Sequence, residues 1–327
     1  MNRTLLFISL FSIFILVSCQ SSPKNEAGKQ NEVELVAEKQ PAFPLDEQTY
    51  YLSKSMFQFE ENGKEYLHFE NTQKSLYDIV IFDIENQQIA KRIPLHKTGP
   101  NGLPAVYGSR PSPDSKQILI SQNNIGRLST INNQGEVVHN YPVKTPEGRF
   151  TTFFFCSYYN APAFVKDSCI FLNQGIFKPN MKREDWPQTH MFASQNLKTG
   201  KFEWVPIFYP PIFKEEYENI DGGYGFSYDY NYKENRLVCG FFGYDSLMVT
   251  DDLKHIRWYN AKSKYLKSMK PKLGNAMAGI NSIIEFCEAP MYWHIMYDKY
   301  RDVYYRFAEM PYKLASNESP YDEPKGK

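Results

Sequence analysis

From residue 50 onward, apolar positions do not recur at helical spacing. Short runs of Ile, Val, Phe and Tyr, some continuous and some alternating, are separated by Asn, Asp, Gly, Lys and Pro, the pattern of strands joined by turns. The clearest runs are Tyr66-Leu67-His68-Phe69, Ile118-Leu119-Ile120, Cys169-Ile170-Phe171-Leu172, Leu237-Val238-Cys239 and Val303-Tyr304-Tyr305. Each of the first four is followed by a second run, a polar turn at Asp83, Asn132, Asn196 or Asp251, and a last run. Those turn residues lie 49, 64 and 55 positions apart. Four strands at a period near 50 residues describe a β-propeller, whose units bury their faces only by stacking on one another. The pattern therefore predicts an all-β, propeller-like repeat of four-stranded meanders over residues 49–312, with about five visible units. An irregular β-sandwich is the alternative, because the repeats share no signature dipeptide. Asn62-Gly63 marks the first hairpin, since both residues tolerate the positive φ of a type I′ turn.

The start of the chain has a different pattern. Asn2 and Arg3 precede an apolar run over residues 5–17, and Leu16-Val17-Ser18-Cys19 closes it. The run is too short to span a bilayer comfortably and resembles a bacterial lipoprotein signal. The expectation is a signal peptide over 1–18 with Cys19 as the acylated first residue of the mature chain, its partner being the lipid bilayer. Two or more acyl chains make a stable anchor. Residues 19–48 are polar and poor in aromatics, so they read as a flexible tether. Gln20, not Asp, follows the cysteine, which points to the outer membrane and leaves open which leaflet is occupied.

Composition narrows the function. The 327 residues balance 37 basic against 37 acidic side chains, with a mean hydropathy of −0.53 and 16% aromatic residues. This excludes a disordered chain and a polytopic membrane protein, and a net charge of zero offers nothing to nucleic acid. No HExxH, GxSxG, Walker or GxGxxG motif and no EF-hand loop is present, and the six histidines are scattered. No cofactor or metal is expected. Cys156, Cys169, Cys239 and Cys287 show no CxxC spacing, and Cys169 and Cys239 sit in strand-like runs where a thiol acts as a small hydrophobe.

Two segments invite a chemical reading and have a simpler one. Asp221-Gly222-Gly223-Tyr224-Gly225-Phe226-Ser227-Tyr228-Asp229 misses calcium-loop spacing and reads as an inner strand crowded against the propeller axis. The Asp298-to-Arg301 stretch reads as a hairpin turn tied by a local ion pair. That hairpin, over 291–297 and 302–310, is followed by a polar, proline-rich tail over 313–327, so the last unit is expected to be incomplete. In a meander the chain reverses at every turn, so the long connections 96–105, 144–161, 173–189 and 207–223 all leave one face. Functional side chains concentrate in such loops. The candidate binding residues are Lys97, Asn101, Arg149, Tyr158 and Trp186, and Tyr209 before Pro210-Pro211 is a further exposed ring.

Two stretches carry a resemblance: Leu95-His96-Lys97-Thr98-Gly99-Pro100-Asn101-Gly102, and Met296-Tyr297-Asp298-Lys299-Tyr300-Arg301-Asp302-Val303-Tyr304-Tyr305-Arg306-Phe307. They resemble an uncharacterised Bacteroidota lipoprotein family, a domain of unknown function with a propeller-like fold. The Gly-Pro-Asn-Gly loop is also similar to a Gly-Pro-Gly-Glu turn in six-bladed propeller lipoproteins of the same bacteria. The resemblance implies fold and compartment and no catalytic residue. The expected function is that of a membrane-anchored envelope scaffold binding a protein or glycan-like ligand without catalysis. The alternative is an envelope enzyme acting on polysaccharide with carboxylates from separate blades.

Overall fold

Four antiparallel meanders follow one another along the chain. The first blade is β1 (Phe57–Glu61), β2 (Lys64–Thr72), β3 (Tyr77–Asp83) and β4 (Gln88–Pro94). The second is β5 (Gly108–Pro111), β6 (Ile118–Gln122), β7 (Arg127–Ile131) and β8 (Val137–Pro142). A short ladder of β9 (Ser157–Tyr158) and β10 (Ala161–Pro162) precedes the third blade, β11 (Phe164–Lys166), β12 (Cys169–Asn173), β13 (Phe192–Asn196) and β14 (Phe202–Trp204). The fourth is β15 (Phe226–Asn231), β16 (Arg236–Phe241), β17 (Ser246–Thr250) and β18 (Arg257–Asn260), and a hairpin of β19 (Met291–Asp298) and β20 (Val303–Glu309) follows. The sheets form a propeller-like ring. The computed structural model describes residues 43–49, 56–72, 77–112, 114–122, 126–143, 157–158, 161–173, 187–210, 225–266 and 290–310. No helix among the described residues is long and apolar enough to cross a membrane.

The turns explain why the repeat is visible in sequence. Between third and fourth strands, an Asx side chain caps the reversal in each blade. Asp83 Oδ1 accepts the Asn86 N–H at 2.9 Å, Asn132 Oδ1 accepts Gln134 N–H at 2.9 Å, and Asn196 Oδ1 accepts Lys198 N–H at 2.9 Å. In the fourth blade the capping residue lies one position later than expected. Asp252 Oδ1 accepts Lys254 and His255 N–H groups, while Asp251 pairs with Arg236 and Arg257. Asn62 and Gly63 take φ of 53° and 75°, as a two-residue type I′ hairpin requires.

In the second, third and fourth blades burial is high in the first three strands and falls in the last, whereas in the first blade β1 is largely exposed and β3 largely buried. All residues of β5 and β6 are buried, whereas all of β18 are exposed. The apolar core divides into clusters between blades. Ile79, Ile93, Leu95, Leu103, Ile118, Ile120 and Ile131 join the first blade to the second. Leu119, Leu128, Tyr141, Val143, Ile170 and Leu172 join the second to the third. Tyr209 belongs to the cluster between the third and fourth, only 3% exposed and edge-on to Phe226, which corrects the expectation of an exposed ring. Its backbone N–H bonds Thr189 O, so the strand-like course of the chain past β14 turns this side chain inward. Before the first blade, Phe43 packs edge-on to Phe82, and Arg92 bridges Asp46 and Asp78.

Candidate functional site

Strands β2 and β5 gather a buried polar cluster at the seam of the first two blades. Ser109 on β5 has one hydroxyl proton, donated to Glu70 Oε1 at 2.6 Å, so its oxygen accepts from His68 Nε2 at 2.7 Å. Burial pulls the His68 pKa down to about 3, with the Arg110 charge adding to the effect, so the imidazole is neutral. His68 and Ser109 are fully buried and Glu70 nearly so. The chain of groups resembles a proton relay, but sealed from solvent it ties blade to blade.

Arg110, the next residue on β5, is 5% exposed and lies over the Phe57 ring of β1 at 4.3 Å. Its charge is felt at His68 on β2 and at Asp229 on β15. Asp229 accepts Tyr297 N–H and Tyr230 N–H, both at 2.8 Å, and burial pushes its pKa up to about 6. Of the glycine-rich segment, residues 226–229 lie in β15, the first strand of the fourth blade, and Asp229 grips the β19 backbone, while 221–224 lie outside the described residues. Among the described residues no group of three or more His, Cys, Asp or Glu side chains could hold a metal ion. Cys169 and Cys239 are free thiols, and burial raises the pKa of both.

The 95–107 connection is the one long loop described in full. Gly99 at φ 86° and a Gly102 N–H to Gly99 O bond of 2.9 Å make its tight turn, and a β-bridge pairs His96 with Gly102. A side chain on Gly102 would meet Gly99 O at 2.9 Å. Leu103 is fully buried beneath, and Tyr77 OH accepts the Val106 N–H at 3.0 Å. Asn101 Oδ1 accepts the Val137 N–H at 3.0 Å, which binds the loop to the start of β8. Lys97 is exposed, its ammonium 5.5 Å from the Tyr77 ring centre, and Tyr107 is 48% exposed. Strand counting assigns this loop and the Asn132 turn to opposite strand ends. The fold nonetheless brings the end of β4 and this loop against the next blade's turn, where Gly135 abuts the Pro94 carbonyl and Asn101 bonds Val137. Tyr158 contributes backbone to β9, paired with Ala161. Cys19, Arg149 and Trp186 lie outside the described residues. Sequence reasoning missed Arg110, because Gly108–Pro111 is a short polar stretch with no strand-like run, and it read Arg306 only as part of the hairpin stretch, not as the residue that ties the hairpin to the fourth blade.

The hairpin is held by polar contacts. The Arg306 guanidinium stacks on Tyr292 at 3.3 Å and donates to the carbonyls of Asp245, Ala261, Phe241 and Tyr244. Desolvation lowers its pKa to about 10. Asp298 Oδ2 pairs with Arg301 at 2.8 Å, the local tie expected for this turn. Lys299 reaches back to Glu60 at 3.1 Å and Glu65 at 2.8 Å, and Tyr300 OH bonds Glu65. The hairpin thereby touches the first blade.

Residues 32–325 match the family described as a domain of unknown function, DUF4221. The chain belongs to the DUF4221 family. It is similar to the crystal structure of a DUF4221 member from Bacteroides vulgatus ATCC 8482, at 83% identity and a TM-score of 0.83, covering 91% of this chain and 82% of that one. A putative exported protein from Bacteroides fragilis NCTC 9343 matches at 9% identity and a TM-score of 0.47, covering 80% of this chain and 73% of that one. A protein of unknown function from Bacteroides caccae matches at 9% identity and a TM-score of 0.36, covering 61% and 63%. No curated protein matches the DUF4221 chain.

Proposed function

We propose that this DUF4221 chain is an envelope lipoprotein, anchored through acylated Cys19, whose propeller binds a partner protein or a glycan-like ligand without chemistry. The carrying observation is the 95–107 loop: its backbone is immobilised by Leu103, Asn101 and Tyr77, while Lys97 and Tyr107 stay at the surface. A rigid scaffold presenting a cationic and an aromatic side chain suits recognition, because little ordering entropy is lost on binding. The lipobox-like Leu16-Val17-Ser18-Cys19 supports the anchor.

The test incubates the protein with a panel of envelope and dietary glycans and with native membranes. Depletion of a ligand without products, weakened by Lys97→Ala or Trp186→Ala at unchanged melting, is the expected result. New reducing ends would replace it with polysaccharide hydrolysis. Mass spectrometry of Cys19→Ala should show loss of the acylated mature chain; an unacylated mature terminus elsewhere in the wild type would remove the anchor.

A further inference from the structure

The ion pairs among the described residues engage Arg92, Arg236, Arg257 and Arg301, and none engages Arg110. Its Nε is buried without a hydrogen-bond partner. The nearby carboxylates are already committed, Glu70 to Ser109 and Asp229 to two backbone N–H groups. A guanidinium taken out of water costs several kcal/mol unless its charge and donors are met. The Phe57 face meets part of the charge through a cation–π contact, but an aromatic ring leaves the in-plane donors unused. Those donors form the planar fork that matches an oxyanion in a bidentate pair. We propose that Arg110 is an anion-binding residue at the inner strands, its guanidinium resting on Phe57 and receiving the carboxylate or phosphate group of a small ligand.

This site is separate from the 95–107 surface, so either can fail alone. Melting of the full chain is followed in inorganic phosphate and, separately, in glucuronate, against chloride at matched ionic strength. One of the two oxyanions should raise the wild-type melting temperature by several degrees, because a ligand that binds only the folded state stabilises it by mass action. Which one does so tells phosphate from carboxylate. Arg110→Met should abolish the rise and melt at or above the wild type in chloride, since an unpaired buried charge has been removed. An equal rise in R110M, no rise in either anion for the wild type, or an R110M protein melting far below wild type in chloride would each overturn the assignment. Should R110M not fold, the wild type alone decides. The Arg110 Nε–H resonance shifts saturably with phosphate or glucuronate, or it stays in place and the proposal fails.

Discussion

The seam between the first and second blades and the seam between the fourth blade and the β19–β20 hairpin solve one problem by opposite means. The first is mainly apolar and tight: beside the single buried chain His68–Ser109–Glu70, seven buried aliphatic side chains fill it, and the Gly135 turn lies so close to β4 that a Cβ would stand 2.0 Å from Pro94 O. The second has a small apolar patch of Val238, Val249 and Ile295, and otherwise relies on polar groups. Ser227 Oγ accepts Ile295 N–H at 2.7 Å, Asp229 accepts Tyr297 N–H, Tyr292 OH donates to Asp245 at 2.8 Å, and Arg306 spans four carbonyls. Between complete blades apolar packing dominates, with buried hydrogen bonds added to it. A hairpin with less apolar surface to contribute is secured by satisfying backbone groups that the neighbouring blade leaves open.

Gly135→Ala should break the first seam and carries the largest effect. At φ 82° the residue sits where L side chains are disfavoured, and the new Cβ meets backbone, so a loss of about 3 kcal/mol is expected from strain and overpacking together. Gly63→Ala, at φ 75° with open space around it, should lose only about 1 kcal/mol in the same denaturation series. Equal losses would mean that the seam contact is irrelevant.

The second seam should show its polar nature as pH dependence. Asp229 has its pKa raised from 3.8 to about 6 in the fold, so its contribution is present at low pH and is lost as pH rises through 6. Asp229→Asn does not titrate. Its stability relative to wild type should therefore climb between pH 4 and pH 6 by about 3 kcal/mol and level off above. His68, lowered from 6.5 to about 3, has the opposite sign, stabilising above 6.5 and losing that stability as pH falls. It is common to both proteins and cancels in the difference. A flat difference curve would remove Asp229 from the seam.

Arg306→Met should cost about 2 kcal/mol, the scale of charge-assisted hydrogen bonds lost from a half-buried site. Hydrogen exchange would localise the loss to 291–309 and leave β6, β7 and β12 protected. Uniform loss of protection would show the two seams to be one cooperative unit. Lys299→Ala is the smallest change, at most about 1 kcal/mol, because the Glu60 and Glu65 contacts are solvent-exposed. It should disappear in molar salt, and persistence there would point to a closure not governed by charge.

The second strands of all five units, β2, β6, β12, β16 and β20, coincide with the runs read from the sequence. β6, β12 and β16 were legible because a strand buried on both faces is a continuous apolar run, and Asx and Gly at the reversals punctuate it, whereas β20 shows its Val-Tyr-Tyr run on a half-exposed strand. The inner strands were less so: Gly108–Pro111 is polar in sequence yet wholly buried. The candidate site divides in the same way. Lys97 and Asn101 were found from loop length, but the Asn101 bond to Val137 joins residues of adjacent blades and has no local signature. Tyr209 was misread because Pro210-Pro211 resembles a surface loop, whereas the aromatic cluster around Phe226 draws the ring inside.

By itself the sequence determined the strand class, the repeat and its turns, since hydrophobic alternation and turn chemistry act over a few residues. Only the tertiary structure decided which polar side chains are buried and what they bind. Arg110 reaches Phe57 of another blade, and Arg306 collects carbonyls from residues 241 to 261. Burial and hydrogen-bond satisfaction depend on which strands the ring brings together, and that is a long-range property no local pattern encodes.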